Sequence, residues 1–336
     1  MDELRVSVII IAYNRKDFIY QAINSVINQK IDPSSFEIII VSNFVVNTDV
    51  KFQVTNILMD GTMGEFLFAG MMKARYEIVA FLDDDDFFEP NKLGTVINVF
   101  SSDAKICYYH NSQRYVSVYL RPINYTRLVE RKSHFSIANN ILVNRELTFH
   151  RIKDAIVAGG DFNLSSIAIK KDCYLKYLPL LKQIKSNPDG FFFWMGLISL
   201  GRLMIDNMKL TNYRVHELNV SGQITPMTKN LELQKEIFTY DLILKFLEET
   251  NYQSKIIESL TRWISLFKYE YELMSLVFAG SSRVAIMKQI KKLLFIGMRY
   301  SNTLKYRVLL FALMGIINVK FAQKFYLRIK SITVQK

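Results

Sequence analysis

The first hundred residues alternate continuous apolar runs with stretches in which apolar residues recur every three to four positions. Three runs are almost entirely apolar, which is typical of strands buried on both faces of a sheet: VSVIIIAY (6–13), FEIIIVSN (36–43) and EIVAFLD (77–83). Helical spacing occurs in residues 17–29, 64–75 and 90–100, and a weaker strand is predicted at 54–59. Strands that alternate with helices predict an α/β fold with a mainly parallel sheet flanked by helices.

The pattern is less regular in the second half of the chain. The segment ICYYHNSQRYVSVYL (106–120) predicts paired strands, residues 190–201 predict a helix, and residues 203–216 predict a further strand. Helical spacing then continues to the C-terminus. We therefore predict a first domain over residues 1–225 and a helical C-terminal region over residues 226–336.

The composition is that of a folded protein with a basic C-terminal region. Hydrophobic residues make up 50% of the 336 positions and charged residues 22%, which excludes a disordered chain. The net charge is +12, yet the residues from Ser281 onward hold 12 of the 43 Lys and Arg and none of the 31 Asp and Glu. Cys107 and Cys173 form no spacing pattern, no signal peptide is recognised, and no apolar run approaches the roughly 20 residues of a membrane span. These features predict a cytoplasmic protein.

Two interpretations of the basic region stay open. Apolar side chains share one face of a predicted helix over 284–298, and lysines lie on another: Met287, Ile290, Leu294 and Met298, against Lys288, Lys291 and Lys292. An amphipathic basic helix suits an anionic membrane surface and predicts a peripheral protein at the cytosolic face of the membrane. The alternative is a helix that packs on the first domain with a solvated basic face. No nucleic-acid-binding motif accompanies the charge, so no nucleic-acid partner is expected.

Four consecutive aspartates, Asp83 to Asp86, follow the third apolar run in FLDDDDFFEP. A solvated acidic loop is the usual meaning of such a run. These aspartates, however, stand at the carboxyl end of a predicted parallel strand, the edge at which α/β sheets bind ligands. Carboxylate oxygens suit Mg²⁺ and Mn²⁺, which keep coordination positions open for a substrate diphosphate. The position therefore favours a site for a metal ion and a diphosphate.

The chain resembles the inverting family 2 glycosyltransferases of the GT-A fold. The resemblance covers about residues 5–222 and is carried by VSVIIIAYNR, FEIIIVSN and, most specifically, GMMKARYEIVAFLDDDDFFEP (70–90). It implies a GT-A catalytic domain over residues 1–225, with nucleotide-sugar binding in 1–115 and the acceptor side in 116–225. It also implies that Asp83 and Asp84 lie at the nucleotide sugar and that Asp85, with Asp83, holds Mn²⁺ or Mg²⁺.

Further donor-binding residues follow from the same resemblance. Ala12, Tyr13 and Asn14 end the first strand, where the family stacks a side chain on the nucleobase. The alternative for Tyr13 is a core residue. Ser42 stands where family members commonly have an Asp that hydrogen-bonds to the base, so the choice between a UDP-sugar and a GDP-sugar stays open. Arg214 and His216, in NYRVHELNVSG (212–222), are expected beside the leaving diphosphate, with His216 also at the metal.

Inverting transfer also needs a base for the acceptor hydroxyl. The family places an Asp or Glu ahead of an apolar helix, and Asp189 in SNPDGFFFWMGLISLGRLMID has that position. Capping of the helix is the alternative role for Asp189, and the two roles are compatible. Asp161 is the second candidate base, and Ser165 and Ser166 fall in a stretch that lines the acceptor side in the family.

Together these features predict a metal-dependent glycosyltransferase that moves a sugar from a nucleotide sugar to a glycan or lipid-linked acceptor with inversion. One alternative is a polyprenyl-phosphate sugar synthase, whose acceptor is already ionised. Another is a non-catalytic carbohydrate- or membrane-binding relative, which the intact Asp83, Asp85 and Asp189 disfavour. The absence of a Gly-rich phosphate loop after the first strand disfavours nucleotidyltransferases and dinucleotide-dependent enzymes.

Overall fold

The computed structural model describes residues 4–48, 52–123, 141–143, 152, 154–156, 158–199, 201–216, 225–249, 255–300 and 306–334. These residues form two compact units, divided in sequence between Val215 and His216, earlier than the predicted division at residue 225. The first unit contains a sheet and its flanking helices, and the second unit is helical.

The sheet of the first unit is mixed. Among the described residues its strands are β1 (Val6–Ala12), β2 (Phe36–Ser42), β3 (Val54–Leu58), β4 (Ile78–Asp83), β5 (Phe87–Phe88), β6 (Ile106–Ser117), β7 (Ile141–Val143), β8 (Ile167–Lys170) and β9 (Arg202–Val215). Their order is β3-β2-β1-β4-β8-β6-β9-β5, and β7 also pairs with β9. Pairing is parallel from β3 to β4 and between β6 and β9, whereas β8 is antiparallel to both of its neighbours. The parallel pairing predicted for the N-terminal strands is therefore present.

Helices cover the sheet where the sequence predicts them. The helices of this unit are α1 (Ile19–Ile27), α2 (Met63–Lys73), α3 (Lys92–Ser102), α4 (Leu178–Leu181) and α5 (Pro188–Ile198). Every residue of β1 and β2 is buried, as expected for strands with helices on both faces. Helix α1 buries the apolar face that its spacing predicts, and a capping box of Thr62 and Glu65 starts α2.

The prediction of paired strands over residues 106–120 is wrong. The segment forms one strand, β6, which runs parallel to β9 with register shifts on both sides of Ser112. Polar residues in the middle of this strand lie inside the sheet because they have partners there. The buried Asn111 donates from its side-chain Nδ2 to Thr211 Oγ1 at 3.0 Å.

The second unit contains α6 (Pro226–Glu249), α7 (Lys255–Phe278), α8 (Arg283–Tyr300), α9 (Tyr306–Ile317) and α10 (Val319–Val334). Its aromatic core includes Phe278, Phe311 and Tyr326, with ring centroids 5.1–5.3 Å apart. Of the helices that the structure describes, none combines the length and the apolar character needed to cross a membrane.

Candidate active site

The four aspartates lie at the carboxyl end of β4, beside the end of β1. The backbone N–H of Asp84 donates to the carbonyl of Ile11 at 3.1 Å, and the chain then turns, with the N–H of Asp86 bonded to the carbonyl of Asp83 at 3.2 Å. Asp84, Asp85 and Asp86 are all buried. Burial, opposed by hydrogen bonds from Arg15, raises the pKa of Asp84 to about 6. The cluster therefore concentrates negative charge where water is largely excluded.

Arg15 pairs with two of the carboxylates in this cluster. Its Nε lies 3.2 Å from both carboxylate oxygens of Asp84, a second nitrogen contacts Asp84 Oδ1, and Nη1 lies 2.9 Å from Asp85 Oδ2. One guanidinium therefore bridges two neighbouring carboxylates. Sequence reasoning did not select Arg15. Its position three residues after the end of β1, at the same edge of the sheet as the aspartates, is the signal that could have found it.

Arg214 lies behind the aspartates and is almost fully buried. Its backbone N–H donates to Asp86 Oδ1 at 3.0 Å, and its Nε donates to the carbonyl oxygen of Asp85 at 2.8 Å. The guanidinium also stacks over the ring of Phe18, 4.3 Å from the centroid. These contacts fix the backbone of the acidic turn. The predicted contact of Arg214 with a diphosphate stays a prediction.

Asp86 and Lys92 form a buried charged region beneath the turn. Burial, followed by the charge of Asp85, raises the pKa of Asp86 to about 8, while hydrogen bonds from Arg214 and Ser165 oppose this. Burial also lowers the pKa of Lys92, and the charge of Asp86 opposes that shift. Lys92 Nζ donates to the carbonyl of Ser165 and, at 2.9 Å, to Thr211 Oγ1. Lys92 therefore holds the Ser165 segment in place, a role that no sequence pattern indicated.

Hydrogen bonds connect the acidic turn to the candidate base. The N–H of Asp83 donates to Ser165 Oγ at 3.0 Å, and the N–H of Ser165 donates to Asn163 Oδ1 at 3.2 Å. The N–H of Asn163 in turn donates to Asp189 Oδ2 at 2.9 Å. Ser165 lies in a 3₁₀ turn over Leu164–Ser166, and Asn163 is the cap of that turn. The structure therefore brings Asp189 and the aspartates to one side of the sheet.

The alternative role of Asp189 as the helix cap is wrong. The N-cap of α5 is Asn187, whose Oδ1 accepts from the N–H of Gly190 at 3.1 Å, and Pro188 is the first helical residue. Proline favours that position because it lacks the N–H that a helix leaves unpaired there. Asp189 lies in the first turn, where the helix dipole favours a carboxylate.

The ends of β1 and β2 form the predicted nucleobase edge. Tyr13 is 48% exposed and its ring packs edge-on against Phe66, with centroids 5.9 Å apart. Asn14 has a left-handed φ of 55°, and its N–H donates to Asn43 Oδ1 at 2.8 Å while Asn43 Nδ2 donates to Asn14 Oδ1 at 2.6 Å. Ala12 and Ser42 are buried partners on adjacent strands, and Ser42 Oγ donates to the carbonyl of Phe44 at 2.7 Å. Tyr13 is thus the side chain that presents a ring to solvent here.

The contacts of Asp161, Ser166 and His216 do not test the roles predicted for them. Asp161 is buried near Tyr108, whose pKa is raised by burial and by the charges of Asp161 and Asp189. Ser166 is buried, and its Oγ accepts from Asn163 Nδ2 at 3.3 Å. His216 is partly buried and begins the second unit, so its predicted metal contact stays a prediction.

The donor set at the turn fits a magnesium or manganese ion. Within the described residues no group of three or more His, Cys, Asp or Glu side chains is arranged to enclose a metal. Mg²⁺ commonly needs only one or two carboxylates when substrate phosphates supply further oxygens. Asp83 and Asp85 are oxygen ligands of that kind, and the buried Asp86 Oδ2 has no hydrogen-bond partner. The residues present therefore fit a site that is completed by a diphosphate.

Comparison with known proteins shows what this chain is similar to. The family model described as Glycosyl transferase family 2 matches residues 7–50 and 65–152, which include β1, the acidic turn and most of the predicted donor edge. The matched part of the chain, 132 of the 336 residues, is similar to glycosyltransferase family 2. An uncharacterized glycosyltransferase of Haemophilus influenzae is 27% identical over 218 residues, which are 63% of this chain and 65% of the relative. An uncharacterized glycosyltransferase of Nostoc is 34% identical over 120 residues, or 32% of this chain and 36% of that protein. The chain thus spans less than two thirds of the length of either curated relative.

Solved structures confirm the predicted GT-A fold of this chain. Residues 1–349 of S. aureus TarS in complex with UDP-GlcNAc superpose with a TM-score of 0.52 at 11% identity, covering 86% of this chain and 90% of that chain. The complex of the same TarS fragment with UDP also gives a TM-score of 0.52, at 13% identity, covering 96% and 91%. The shared architecture is a mixed sheet flanked by helices, with a helical C-terminal region.

Proposed function

We propose that this protein is a glycosyltransferase that transfers a sugar from a nucleotide-sugar donor to a hydroxyl group of a glycan or lipid-linked acceptor, with inversion. The observation that carries the proposal is the hydrogen-bonded path from Asp83 through Ser165 and Asn163 to Asp189. This path links Asp189 to the predicted diphosphate site and supports Asp189 as the carboxylate of the acceptor side. The fold of TarS, which accommodates UDP-GlcNAc in that protein, supports a nucleotide sugar as the donor.

The chemistry assigns one task to each group. The nucleobase stacks on Tyr13, and the diphosphate lies at the carboxyl end of β4. A cation of the Mn²⁺ or Mg²⁺ type, bound by Asp85 and Asp83, would balance the negative charge of the leaving diphosphate. Asp189 accepts the proton of the acceptor hydroxyl while the oxygen of that hydroxyl bonds to the anomeric carbon. The bond from that carbon to the diphosphate breaks, and the nucleoside diphosphate leaves with the bonding electrons.

Asp189→Asn tests the role of Asp189 as base. Asparagine keeps an oxygen that can accept from the N–H of Asn163, so we expect an unchanged melting temperature but transfer to a hydroxyl acceptor reduced by about 10²–10⁴-fold. Initial rates with UDP- and GDP-sugars measure the effect. Asp161→Asn serves as the comparison, since Asp161 is the second candidate base.

The same variant distinguishes a polyprenyl-phosphate sugar synthase. A phosphate acceptor is already ionised, so Asp189→Asn would then retain nearly full activity with polyprenyl phosphate. That result would show that the acceptor is a lipid phosphate and not a hydroxyl group. If the wild-type protein neither transfers sugar nor hydrolyses any nucleotide sugar with Mn²⁺, the non-catalytic alternative stands instead.

We further propose that the second unit binds the anionic surface of a membrane, where a lipid-linked acceptor would be available. The corner between α9 and α10 exposes large apolar side chains: Leu310, Leu313, Ile317, Phe321 and Phe325. Ile317 is 76% exposed and Phe321 is 57% exposed. Isolated apolar residues are normal on a surface, but a group of this size next to basic residues is typical of interfacial segments.

Charge around this corner favours anionic lipid over a second protein. Lys320 and Lys324 are exposed beside the apolar group, and Arg283 Nη2 donates to the carbonyl of Ile317 at 3.5 Å. From Ser281 onward the sequence contains no acidic residue to oppose these charges. Helix α8 packs through Ile286 and Leu293, while Met287 on the predicted lipid-facing side is 44% exposed. Five exposed apolar side chains and two exposed lysines are therefore found together around the α9–α10 corner.

A further inference from the structure

Arg15 has a position that conflicts with a cation at the acidic turn. Its Nη1 is 2.9 Å from Asp85 Oδ2, the carboxylate assigned above to the metal, and its other nitrogens contact Asp84. The guanidinium of an arginine stays charged in proteins. A divalent cation that binds Asp85 must therefore share that carboxylate with a permanent positive charge.

Arg15 also has freedom to move away from the turn. It follows Asn14 in a segment without regular secondary structure between β1 and α1, and its side chain remains 21% exposed. The other side of the acidic turn is fixed differently, since Arg214 holds the backbone of Asp85 from a buried position. Displacement of Arg15 therefore leaves the turn itself intact.

We propose that Arg15 acts as a positioning residue that blocks the metal site until a nucleotide sugar binds. The planar guanidinium matches the oxygens of a diphosphate as well as it matches a carboxylate. An arriving diphosphate takes Arg15 from Asp85, and the vacated carboxylate then binds the cation. Donor and cation consequently bind cooperatively, and neither binds tightly alone. This inference rests on the proposed metal-dependent function.

The test measures Mn²⁺ binding, with no turnover involved. Wild-type protein, Arg15→Gln and Arg75→Gln are titrated with Mn²⁺ by electron paramagnetic resonance, with and without UDP or GDP. Arg75 is the matched control, since its Nε pairs with the buried carboxylate of Glu37 at 2.8 Å in the same unit. Thermal unfolding of each variant verifies that it is folded.

Without nucleotide, Arg15→Gln is expected to bind Mn²⁺ about tenfold or more tightly than the wild type, because a charge-assisted pair with Asp85 no longer competes. Arg75→Gln should match the wild type. A nucleotide should raise the Mn²⁺ affinity of the wild type by a larger factor than that of Arg15→Gln, since coupling between two ligands is reciprocal. Arg15→Lys keeps the charge and should stay closer to the wild type than Arg15→Gln does.

Each contrary result has a separate meaning. Equal or weaker Mn²⁺ binding by Arg15→Gln would overturn the blocking role and leave the metal-dependent function standing. Absence of Mn²⁺ binding in every variant, even with UDP and GDP, would overturn the metal-dependent function and the inference together.

Discussion

At the scale of single residues, the four aspartates at the end of β4 differ because their neighbours differ. Asp84 faces Arg15, whereas Asp86 faces the backbone N–H of Arg214 in the interior. Asp85 is contacted by Arg15 through its carboxylate and by Arg214 through its carbonyl. Asp83 differs again, since its N–H donates to Ser165 Oγ. Four identical residues in sequence therefore have four different sets of contacts.

Asp85→Ala tests the metal assignment at this scale. We expect metal-dependent transfer to fall at least about a hundredfold, because the charge that develops on the leaving diphosphate is no longer balanced. Initial rates across an Mn²⁺ titration measure this loss, together with the Mn²⁺-dependent rise in melting temperature that UDP produces. Asp60→Ala, which removes an exposed aspartate of the same unit, should behave as the wild type. Undiminished transfer by Asp85→Ala would refute the assignment.

Sequence reasoning identified the aspartates but not their cation partner. Asp83–Asp86 and Asp189 stand next to apolar runs, and such contexts can be recognised from sequence. Arg15 and Lys92 could not be selected in that way, because their roles depend on contacts with residues 69 and 73 positions away. Arg214 illustrates the converse: its residue type predicts a phosphate ligand, which stays a prediction, but its contacts with the acidic turn could not be predicted from sequence.

At the scale of elements, the N-terminal strands and helices were predictable because each one has its own periodic signal. Strands β1 and β2 are buried along their whole length, and α1 has a clear apolar face. Strand β6 was not predictable, since its polar middle is accommodated only by partners on distant segments such as Thr211. The N-cap of α5 could have been predicted from the sequence, because a proline in the first turn, Pro188, indicates that the preceding Asn187 is the cap.

Gly64 allows helix α2 to approach the segment after α4 closely. A Cβ atom at Gly64 would lie 2.2 Å from the carbonyl oxygen of Leu181 and 2.6 Å from that of Ile184, and backbone atoms cannot move aside easily. We therefore expect Gly64→Ala to lower the free energy of unfolding by at least about 2 kcal/mol, in the range of overpacking substitutions. Urea denaturation measures the change.

Gly94→Ala in α3 is the matched control for Gly64→Ala. Its Cβ would lie 3.1 Å from Cγ2 of Ile31, a side-chain atom that can shift slightly. Alanine also gains up to about 1 kcal/mol over glycine in a helix, so stability should change little or rise. A Gly64→Ala protein as stable as Gly94→Ala would show that the contact between α2 and the 181–184 segment is adjustable.

At the scale of the whole molecule, charge is divided along the chain rather than spread over it. All 12 basic residues from Ser281 onward lack acidic neighbours in sequence, whereas the preceding residues contain equal numbers of both signs. A first unit with 22 basic and 21 acidic residues and a strongly basic second unit suit the proposed division between sugar transfer and surface attachment. Electrostatic attraction of this kind weakens as salt concentration rises.

A double variant at the α9–α10 corner, Ile317→Ser with Phe321→Ser, tests attachment. Removing both apolar groups should reduce binding to phosphatidylglycerol-containing vesicles at least about tenfold in a flotation assay. Met227→Ser with Leu231→Ser, two exposed apolar positions in α6, should leave binding unchanged. Vesicles of pure phosphatidylcholine should bind the wild type weakly.

Two outcomes would contradict attachment at this corner. If the corner variant binds vesicles as well as the wild type does, the protein does not attach to the membrane through this corner. Sedimentation equilibrium without lipid tests self-association. If the mass of the wild type rises with concentration and that of the corner variant does not, the corner is instead a contact between copies of the chain. Transfer to a water-soluble acceptor should be the same in both double variants.

The insertion of β8 between β4 and β6 has a consequence for synthesis on the ribosome. Strands β1 to β4 emerge first and can pair among themselves, but the free edge of β4 has no partner until Ile167–Lys170 follow. The turn that immediately precedes β8 also supplies the Ser165 hydroxyl to Asp83. A nascent chain that stops before residue 167 would therefore expose an apolar strand edge and an unsupported acidic turn, and such edges promote aggregation. Recovery of soluble protein from chains that end on either side of β8 should change abruptly at that strand.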